Sequence, residues 1–212
     1  MYVGRIVSAG KTNDGNFALM YRISSRSFPN RKVHVTDGKA AIVPVEGSES
    51  DLLKSQFISY NCVQLSNRHA VVTNGSHTDL IFDKLKSGIS IRDSLISVLS
   101  GMDYEHDQLN TPRIALVFNI ETKDVFFGTI REDGIWVQKV NLKNGQAFYL
   151  ATYEQQFFSG RCFDEGFDVS DENEACDYIL YKGVFADLEK PILSVAVYIR
   201  GNQVSQIGYK RV

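Results

Sequence analysis

Short apolar runs broken by turn residues fill the first third of the chain, a spacing that suits antiparallel strands better than helices. Residues 3–9 and 17–23 flank Asn13-Asp14-Gly15, where Asp-Gly supplies the positive φ of a tight hairpin turn. Residues 40–45 read as another strand, with Pro44 marking an edge or an end and residues 46–50 forming its polar exit. Residues 56–66 and 69–73 make a further pair across Asn67-Arg68.

Helical periodicity enters after Thr73. Ser90 is placed to cap a helix, with Asp93 three residues on, and Ile91, Leu95, Val98, Leu99 and Met102 share one face. A helical stretch over 78–86, ended by Gly88, precedes it. Ser170, followed by Asp171 and Glu172, opens a third helix whose buried stripe is Ala175, Cys176, Ile179 and Leu180, ending near Gly183. Between these helices, residues 114–120, 125–130, 135–140 and 147–152 read as a four-strand meander, and 192–199 with 203–209 as a closing hairpin across Gly201-Asn202. Strand-rich blocks separated by helices, without strict alternation, exclude a doubly wound parallel sheet. The expectation is an α+β fold of two mainly antiparallel sheets, packed face to face and covered by helices. No internal repeat, low-complexity segment or long linker divides the chain, so residues 1–212 are expected to form one domain.

Composition narrows the function classes. With 43% hydrophobic and 23% charged residues, 212 residues suffice for one sizeable core. A formal charge of −2 and the lack of a basic run argue against general binding to nucleic acid or to an anionic membrane. The start lacks a signal-peptide core and no apolar stretch reaches membrane-spanning length, so a cytoplasmic location is expected. Cys62, Cys162 and Cys176, odd in number and far apart, fit reduced thiols better than a disulfide framework or a zinc site.

Four stretches carry candidate chemistry. Residues 22–31, Arg-Ile-Ser-Ser-Arg-Ser-Phe-Pro-Asn-Arg, concentrate the donors of Arg22, Ser24, Ser25, Arg26, Ser27, Asn30 and Arg31 after an apolar strand. Guanidinium groups and hydroxyls are what a phosphate monoester needs, although a solvated charged loop would look the same. Residues 74–79, Asn-Gly-Ser-His-Thr-Asp, lead through a glycine turn into a helix, where free backbone N–H groups can hold an anion or oxyanion; plain capping by Ser76 or Thr78 is the alternative. Asp103, Tyr104, Glu105, His106 and Asp107 gather titratable groups ahead of Arg113, either as a solvated loop or as acid and base. Cys62 lies beside Tyr60 and Asn61 in an apolar strand and reads as a nucleophile or, more simply, as an inert small hydrophobe. No phosphate-binding loop, dinucleotide fingerprint or metal-spaced His or Cys pair occurs, so nothing asks for ATP, a dinucleotide or zinc. Of the scattered His34, His69, His77 and His106, only His77 has promising company.

The opening Met-Tyr-Val-Gly-Arg-Ile, residues 21–31, 43–47, Tyr60-Asn61-Cys62, residues 74–79, Met102-Asp103-Tyr104-Glu105, residues 110–115 and residues 152–155 together resemble the archaeal-type inosine monophosphate (IMP) cyclohydrolase family. The matches fall in order over most of the first 115 residues and sparsely after them. The resemblance implies a four-layer αββα sandwich like that of N-terminal-nucleophile hydrolases, the last step of purine synthesis, no cofactor or metal, and a homo-oligomer. The reaction so implied closes 5-formamidoimidazole-4-carboxamide ribonucleotide to IMP and releases water. It places the 5′-phosphate on Arg22, Arg26, Arg31 and the neighbouring Ser24, Ser25, Ser27 and Asn30, and gives Tyr60, Tyr104 and Glu105 proton-transfer or orienting roles. Asn61, Asn74 and Arg113 would meet the base, ribose or oxyanion, with Gly75, Ser76, His77 and Asp103 completing the substrate contacts. Beyond residue 120 only Tyr153 and Glu154 draw attention, as a functional or a surface pair. The chain departs from the N-terminal-nucleophile pattern, since Met1 is followed by Tyr2 and not by Ser, Thr or Cys. A non-catalytic purine-nucleotide binder and an amidohydrolase using Cys62 remain as alternatives.

Overall fold

A computed structural model of the chain describes residues 1–54 and 56–212. The first two strands, β1 (Arg5–Lys11) and β2 (Phe17–Ser24), form the expected hairpin. Its turn is closed by the Thr12 amide on Asn16 O at 2.8 Å, and Gly15 takes the positive φ of 86°. Then follow β3 (Arg31–Thr36), β4 (Lys39–Pro44), the short helix α1 (Asp51–Lys54), β5 (Tyr60–Leu65), β6 (His69–Thr73) and the helices α2 (His77–Lys86) and α3 (Ile91–Met102). The second half contains β7 (Arg113–Asn119), β8 (Val125–Arg131), β9 (Gly134–Val140), β10 (Gln146–Ala151), β11 (Phe163–Glu165), α4 (Glu172–Tyr181), β12 (Pro191–Arg200), β13 (Gln203–Val204) and β14 (Gly208–Arg211).

These strands form two antiparallel sheets. One runs β11-β10-β1-β2-β12, with β13 and β14 both paired to β12; the other runs β3-β4-β5-β6-β7-β8-β9. Because successive strand residues point to opposite faces, each sheet has one face for its sister sheet and one for helices. Val7, Leu19, Tyr21, Ile23 and Val195 meet Ile42, Cys62, Val72, Leu116 and Phe127 in a single core between the sheets. The odd-numbered and even-numbered residues of β2 thus part company: Ala18 and Met20 pack with Ala175, Cys176 and Ile179 of α4 instead. On the far side, Val71, Ala115 and Val117 pack beneath Ile81 and Leu85 of α2 and Leu95 and Val98 of α3. The layers therefore run helix, sheet, sheet, helix.

Several details differ from the reading of the sequence. The meander is three strands, β7, β8 and β9; β10 leaves it to pair with β1 in the other sheet. The segment 22–31 is not one loop, since Arg22 to Ser24 finish β2 and Arg31 begins β3, a strand whose alternation of small apolar and charged residues was not recognised. Residues 56–58 form a 3-10 turn ahead of β5. Ser90 does cap α3, accepting from Asp93 N, but α4 is capped by Asp171, whose side chain accepts from Asn173 N and Glu174 N.

Arg22 is the main correction. It follows inward-facing Tyr21, so it projects toward α4 and is fully buried (0% exposed). Its Nη1 donates to the carbonyls of Ile179 (3.0 Å), Leu180 (3.1 Å) and Phe185 (3.0 Å), its Nη2 to Leu188 O (2.8 Å) and its Nε to Ser24 Oγ (3.1 Å). The last carbonyls of a helix lack intrahelical partners and carry its negative dipole end, so a buried cation here satisfies both needs. Arg22 and Ser24 are thereby committed to the fold, on the face away from the seam, and neither can reach a phosphate there. Arg22→Ala is expected to lower unfolding free energy by about 3 kcal/mol, because it leaves several buried carbonyls without donors. Urea denaturation with an unchanged midpoint would contradict this role.

Candidate active site

Strand alternation carries polar side chains into one end of the seam between the sheets. Arg5 pairs across β1 and β2 with Ile23, and its neighbours at every second position, Val7 and Ala9, are core residues between the sheets. It therefore faces inward, at the strand's first residue, where the core gives way to the molecular edge. Arg31 begins β3 on the same side as Val33 and Val35 and is 3% exposed. Tyr60 opens β5, with Cys62 beyond it in the core. Its hydroxyl lies 2.6 Å from that of Tyr21.

Glu105, 1% exposed, sits between two arginines. Oε1 is 3.4 Å from Arg113 Nη1 and Oε2 is 3.8 Å from Arg5 Nη2. Arg113 is itself aimed by the carbonyl of Asp103, which accepts from Nε at 2.8 Å and does so from a left-handed backbone (φ 58°). Burial raises the Glu105 carboxyl above its ordinary range in spite of the pull of Arg5 and Arg113, and burial lowers the guanidinium values of Arg113 and Arg31. Two guanidiniums thus meet one buried carboxylate, and the charge of Arg31 acts on it more weakly. The nearby Asp107 carboxylate is already occupied by Leu109 N, Thr111 N and the Thr111 hydroxyl.

Among the described residues, the nitrogens Arg5 Nε, Arg31 Nε and Arg31 Nη1 and the oxygen Glu105 Oε2 are buried without a hydrogen-bond partner. Native interiors rarely leave such groups unpaired, and those that remain call for a ligand or water. Arg5 and Arg31 line one narrow cavity of about 90 Å³ together with Tyr2, Ser25, Ser27, Phe28, Asp107 and Tyr153. Through Tyr2, Ser27, Leu109 and Tyr153 it adjoins a wider depression of about 500 Å³ that Arg26 and Glu154 border. Its wall is braced: Thr111 Oγ1 is 2.9 Å from the Tyr153 hydroxyl, Tyr153 stacks on Tyr2 at 5.5 Å, and Arg26 lies over Tyr2 at 4.4 Å. Gly4 permits this, since a Cβ there would fall 2.2 Å from Thr152 Oγ1 and 2.8 Å from the Tyr153 ring.

Of the residues expected from the sequence, the structure brings together Tyr60, Glu105, Arg31 and Arg113, with Ser25 and Ser27 at the cavity wall. Gly75 and His77 adjoin them from behind. A Cβ on Gly75 would lie 3.1 Å from Arg113 Nη1, 3.1 Å from His77 Nδ1 and 3.3 Å from Glu105 Oε1, so glycine keeps that space open. His77 is fully buried, its Nε2 donates to Ile114 O at 3.0 Å, and its Nδ1 is unpartnered. Burial, with Arg113 beside it, pushes its pKa down to about 3, so the ring is neutral.

Other expected residues lie elsewhere. Asn61 follows Tyr60 and so points to the opposite face, where its amide donates to Asp79 of α2 at 2.8 Å. Asn74 is a scaffold residue, bonded to Pro112 O (2.9 Å) and Ile114 N (2.8 Å). Ser76 is exposed and makes no cap bond; Thr78 Oγ1 bonds Gly75 O instead. Tyr104 is only half-buried, tilted against His106 at 4.4 Å, while the Asp103 carboxylate accepts from Tyr104 N and meets His106. Asn30 is exposed and uses its backbone carbonyl to hold Val45 N. Arg26 is exposed and paired with Glu189 at 2.8 Å. Arg5, Tyr21, Tyr2 and Phe28 were missed as site residues. A charged residue at every-second-position spacing from Val7 and Ala9 was the available signal for Arg5.

The buried neutral His77 makes stability pH-dependent with a known sign. Its folded value lies below the unfolded one, so the folded state refuses a proton that the unfolded chain accepts, and stability falls as pH drops below about 6.5 toward 3. Glu105 acts oppositely: its folded value is raised above the unfolded value near 4.5, so its contribution is lost as pH rises from about 4.5 toward that folded value, inside the same window. Between pH 6.5 and 4.5 His77 alone should contribute a slope of about 1.4 kcal/mol per pH unit, which Glu105 offsets in part, and His77→Gln should remove the His77 share. Urea melts across that window showing identical slopes for both proteins would contradict the neutral, buried assignment.

The family model described as IMP cyclohydrolase-like protein matches residues 2–203. A protein of Methanosphaera stadtmanae named IMP cyclohydrolase is 42% identical over 198 residues, 93% of this chain and 94% of its own length. IMP cyclohydrolases of Methanococcus maripaludis and Methanocaldococcus jannaschii are 49% identical over 73% of the chain and 75% of the relative, and 38% identical over 94% of each. With a family match across nearly its whole length, laid over the same strands that carry the arginine-lined cavity, the chain belongs to the IMP cyclohydrolase-like family.

Proposed function

We propose that the protein closes 5-formamidoimidazole-4-carboxamide ribonucleotide to IMP with release of water, as the names of its relatives indicate. The observation that carries this reading is the pair of buried, unsatisfied guanidiniums of Arg5 and Arg31 in one cavity, beside Tyr60 and Glu105. An anionic nucleotide supplies the acceptors that the fold withholds. Arg31, with Ser25, Ser27 and Arg26 toward the mouth, takes the 5′-phosphate. The exposed aromatic edge of Tyr2 and Tyr153 offers a surface for the base or ribose.

The chemistry is intramolecular. The carboxamide nitrogen bonds to the formyl carbon, the formyl oxygen becomes a hydroxyl and then leaves as water, and the hydrogens of that water come from nitrogen. Much of the work is holding the reacting groups together. Tyr60 donates to the formyl oxygen as charge develops, Arg5 supplies a nearby positive charge, and Glu105 takes the nitrogen proton. A carboxyl raised by burial is a better base than an exposed one. The helix, sheet, sheet, helix layering fits the proposed likeness to N-terminal-nucleophile hydrolases, without use of their nucleophile. We extend the proposal to a single domain over residues 1–212, a homo-oligomer and a cytoplasmic setting.

The amidohydrolase alternative is disfavoured by Cys62. Its thiol is fully buried, pushed above its usual range by burial and directed at Ala40 O (3.4 Å). A thiolate nucleophile needs the opposite environment.

Mixing the protein with the formylated ribonucleotide and following IMP by absorbance tests the function itself. Turnover is expected, whereas binding without turnover would favour a nucleotide sensor and release of formate or ammonia an amidohydrolase. Tyr60→Phe and Glu105→Gln should each lower kcat by about 10²–10⁴-fold with little loss of product affinity, and Cys62→Ala should keep most of the rate. Near-native kcat in either of the first two variants would remove that residue from the chemistry. Arg31→Ala should weaken IMP binding by about 2 kcal/mol, roughly 30-fold, and inosine binding much less. Arg26→Ala, which loses an exposed and already paired group, should cost at most about 1 kcal/mol. Titration calorimetry that finds equal losses for nucleotide and nucleoside in Arg31→Ala would overturn the phosphate assignment.

A further inference from the structure

Tyr21 is a fully buried tyrosine in the core between the sheets, and the ring-closure reading leaves it without a task. It stands in β2 opposite Val7 and Val195, is fully buried, and among the described residues its hydroxyl meets one partner, Tyr60 Oη, at 2.6 Å. Cys62, which bonds Ala40 O, belongs to the same core. Tyr60, by contrast, opens its strand, retains 7% exposure and has Arg5 and Arg31 as its charged neighbours.

Two protons are shared between these oxygens, and burial decides their direction. If Tyr60 donated to Tyr21, the Tyr21 proton would point into an apolar core with nothing to accept it, an arrangement that folded proteins avoid. Tyr21 therefore donates, and its buried hydroxyl holds its proton well above the usual phenol range because the surroundings disfavour the anion. Once the Tyr60 oxygen is occupied as an acceptor, its own hydrogen is left for the cavity side.

We propose that Tyr21 is a positioning residue for ring closure, donating to Tyr60 so that the Tyr60 hydroxyl is aimed at the reacting formyl oxygen and its oxygen is stabilised as it gives up proton density. The protons balance with Glu105. Tyr60 lends its proton to the developing oxyanion, the Tyr21 O–H bond stays intact while its hydrogen bond to Tyr60 strengthens, and of the two protons released from nitrogen one passes through Glu105 to the departing hydroxyl and the other restores Tyr60. The Arg5 charge supports the same oxygen from the opposite strand. Donors fixed before reaction act without reorganising during it. The device explains why a tyrosine, and not the phenylalanine that packing alone would favour, occupies a dry position in the middle of a sheet.

This inference rests on the ring-closure reading, and wild-type turnover reports on that reading separately. The test is a double-mutant cycle on kcat with Tyr21→Phe, Tyr60→Phe and the pair, each checked for thermal melting and for IMP affinity. Tyr21→Phe removes one oxygen atom and fills the same space, so it should melt near the wild type and bind IMP within about twofold. Its kcat should fall about 10- to 100-fold, with KM little changed. In the Tyr60→Phe background the same change should cost less than about twofold, because a residue acting only through Tyr60 has nothing left to position. Losses that multiply in the double variant, or a Tyr21→Phe kcat within twofold of wild type, would overturn the proposal. So would a Tyr21→Phe protein that unfolds at the assay temperature, since its hydroxyl would then be serving the fold.

Discussion

Burying positive charge is the constraint around which this molecule is arranged. A guanidinium withdrawn from water costs several kcal/mol unless acceptors surround it. The protein meets that demand in two ways, one on the helix-facing side of β2 and the other where β1, β3 and β7 begin. Arg22 is satisfied to completion by four backbone carbonyls and one serine hydroxyl, and it fastens the end of α4 to the sheet. Arg5 and Arg113 share one carboxylate, Glu105, at 3.8 and 3.4 Å, and among the described residues buried donors of Arg5 and Arg31 stay idle. One cation is structural because its bonds are complete. Arg5 and Arg31 keep buried donors without acceptors among the described residues, and the proposed nucleotide site rests on those idle donors.

The antiparallel pleat does the sorting. Tyr21 and Arg22 are adjacent in sequence yet serve different layers, one the seam and one the helix interface; Tyr60 and Asn61 divide in the same way. Placing the arginines at the first residues of β1, β3 and β7 puts them where each core layer ends, so their stems are covered while the heads of Arg5 and Arg31 reach the cavity. Close-packed apolar residues behind them supply the low dielectric that strengthens every charge interaction in the site. The loop that carries Glu105 is pinned by its own hydrogen bonds, with Glu105 N on Thr111 O at 2.8 Å and Asp107 gripping Thr111. The carboxylate is thus held on a rigid support.

Much of this was legible in the sequence. Period-2 runs and turn residues located most strands, and Ser90 with Asp93 located the start of α3. Glu105, Tyr60 and Arg31, which the structure brings close together, were legible as candidates because they stand in segments resembling a known family. Their neighbours failed for a definable reason: proximity in sequence was read as proximity in space, which a strand denies to alternate residues. Arg22 and Asn61 were drawn into the site by that reasoning, and Arg5, which alternation would have pointed inward, was passed over. The pairing of β10 with β1 was hidden for a different cause, since nothing local to residues 146–151 says which sheet they join. That choice is made by the partner face, not by the strand's own pattern.

The idle donors make the account open to a direct check, the structure of the protein with IMP bound. Nucleotide seated in the cavity, with a phosphate oxygen within 3.2 Å of Arg31 Nε or Nη1 and the base near Tyr60 and Glu105, is the predicted result. IMP held in the groove between α2 and α3, or bound anywhere with Arg31 still lacking an acceptor, would contradict the claim that these buried guanidiniums are kept for the substrate.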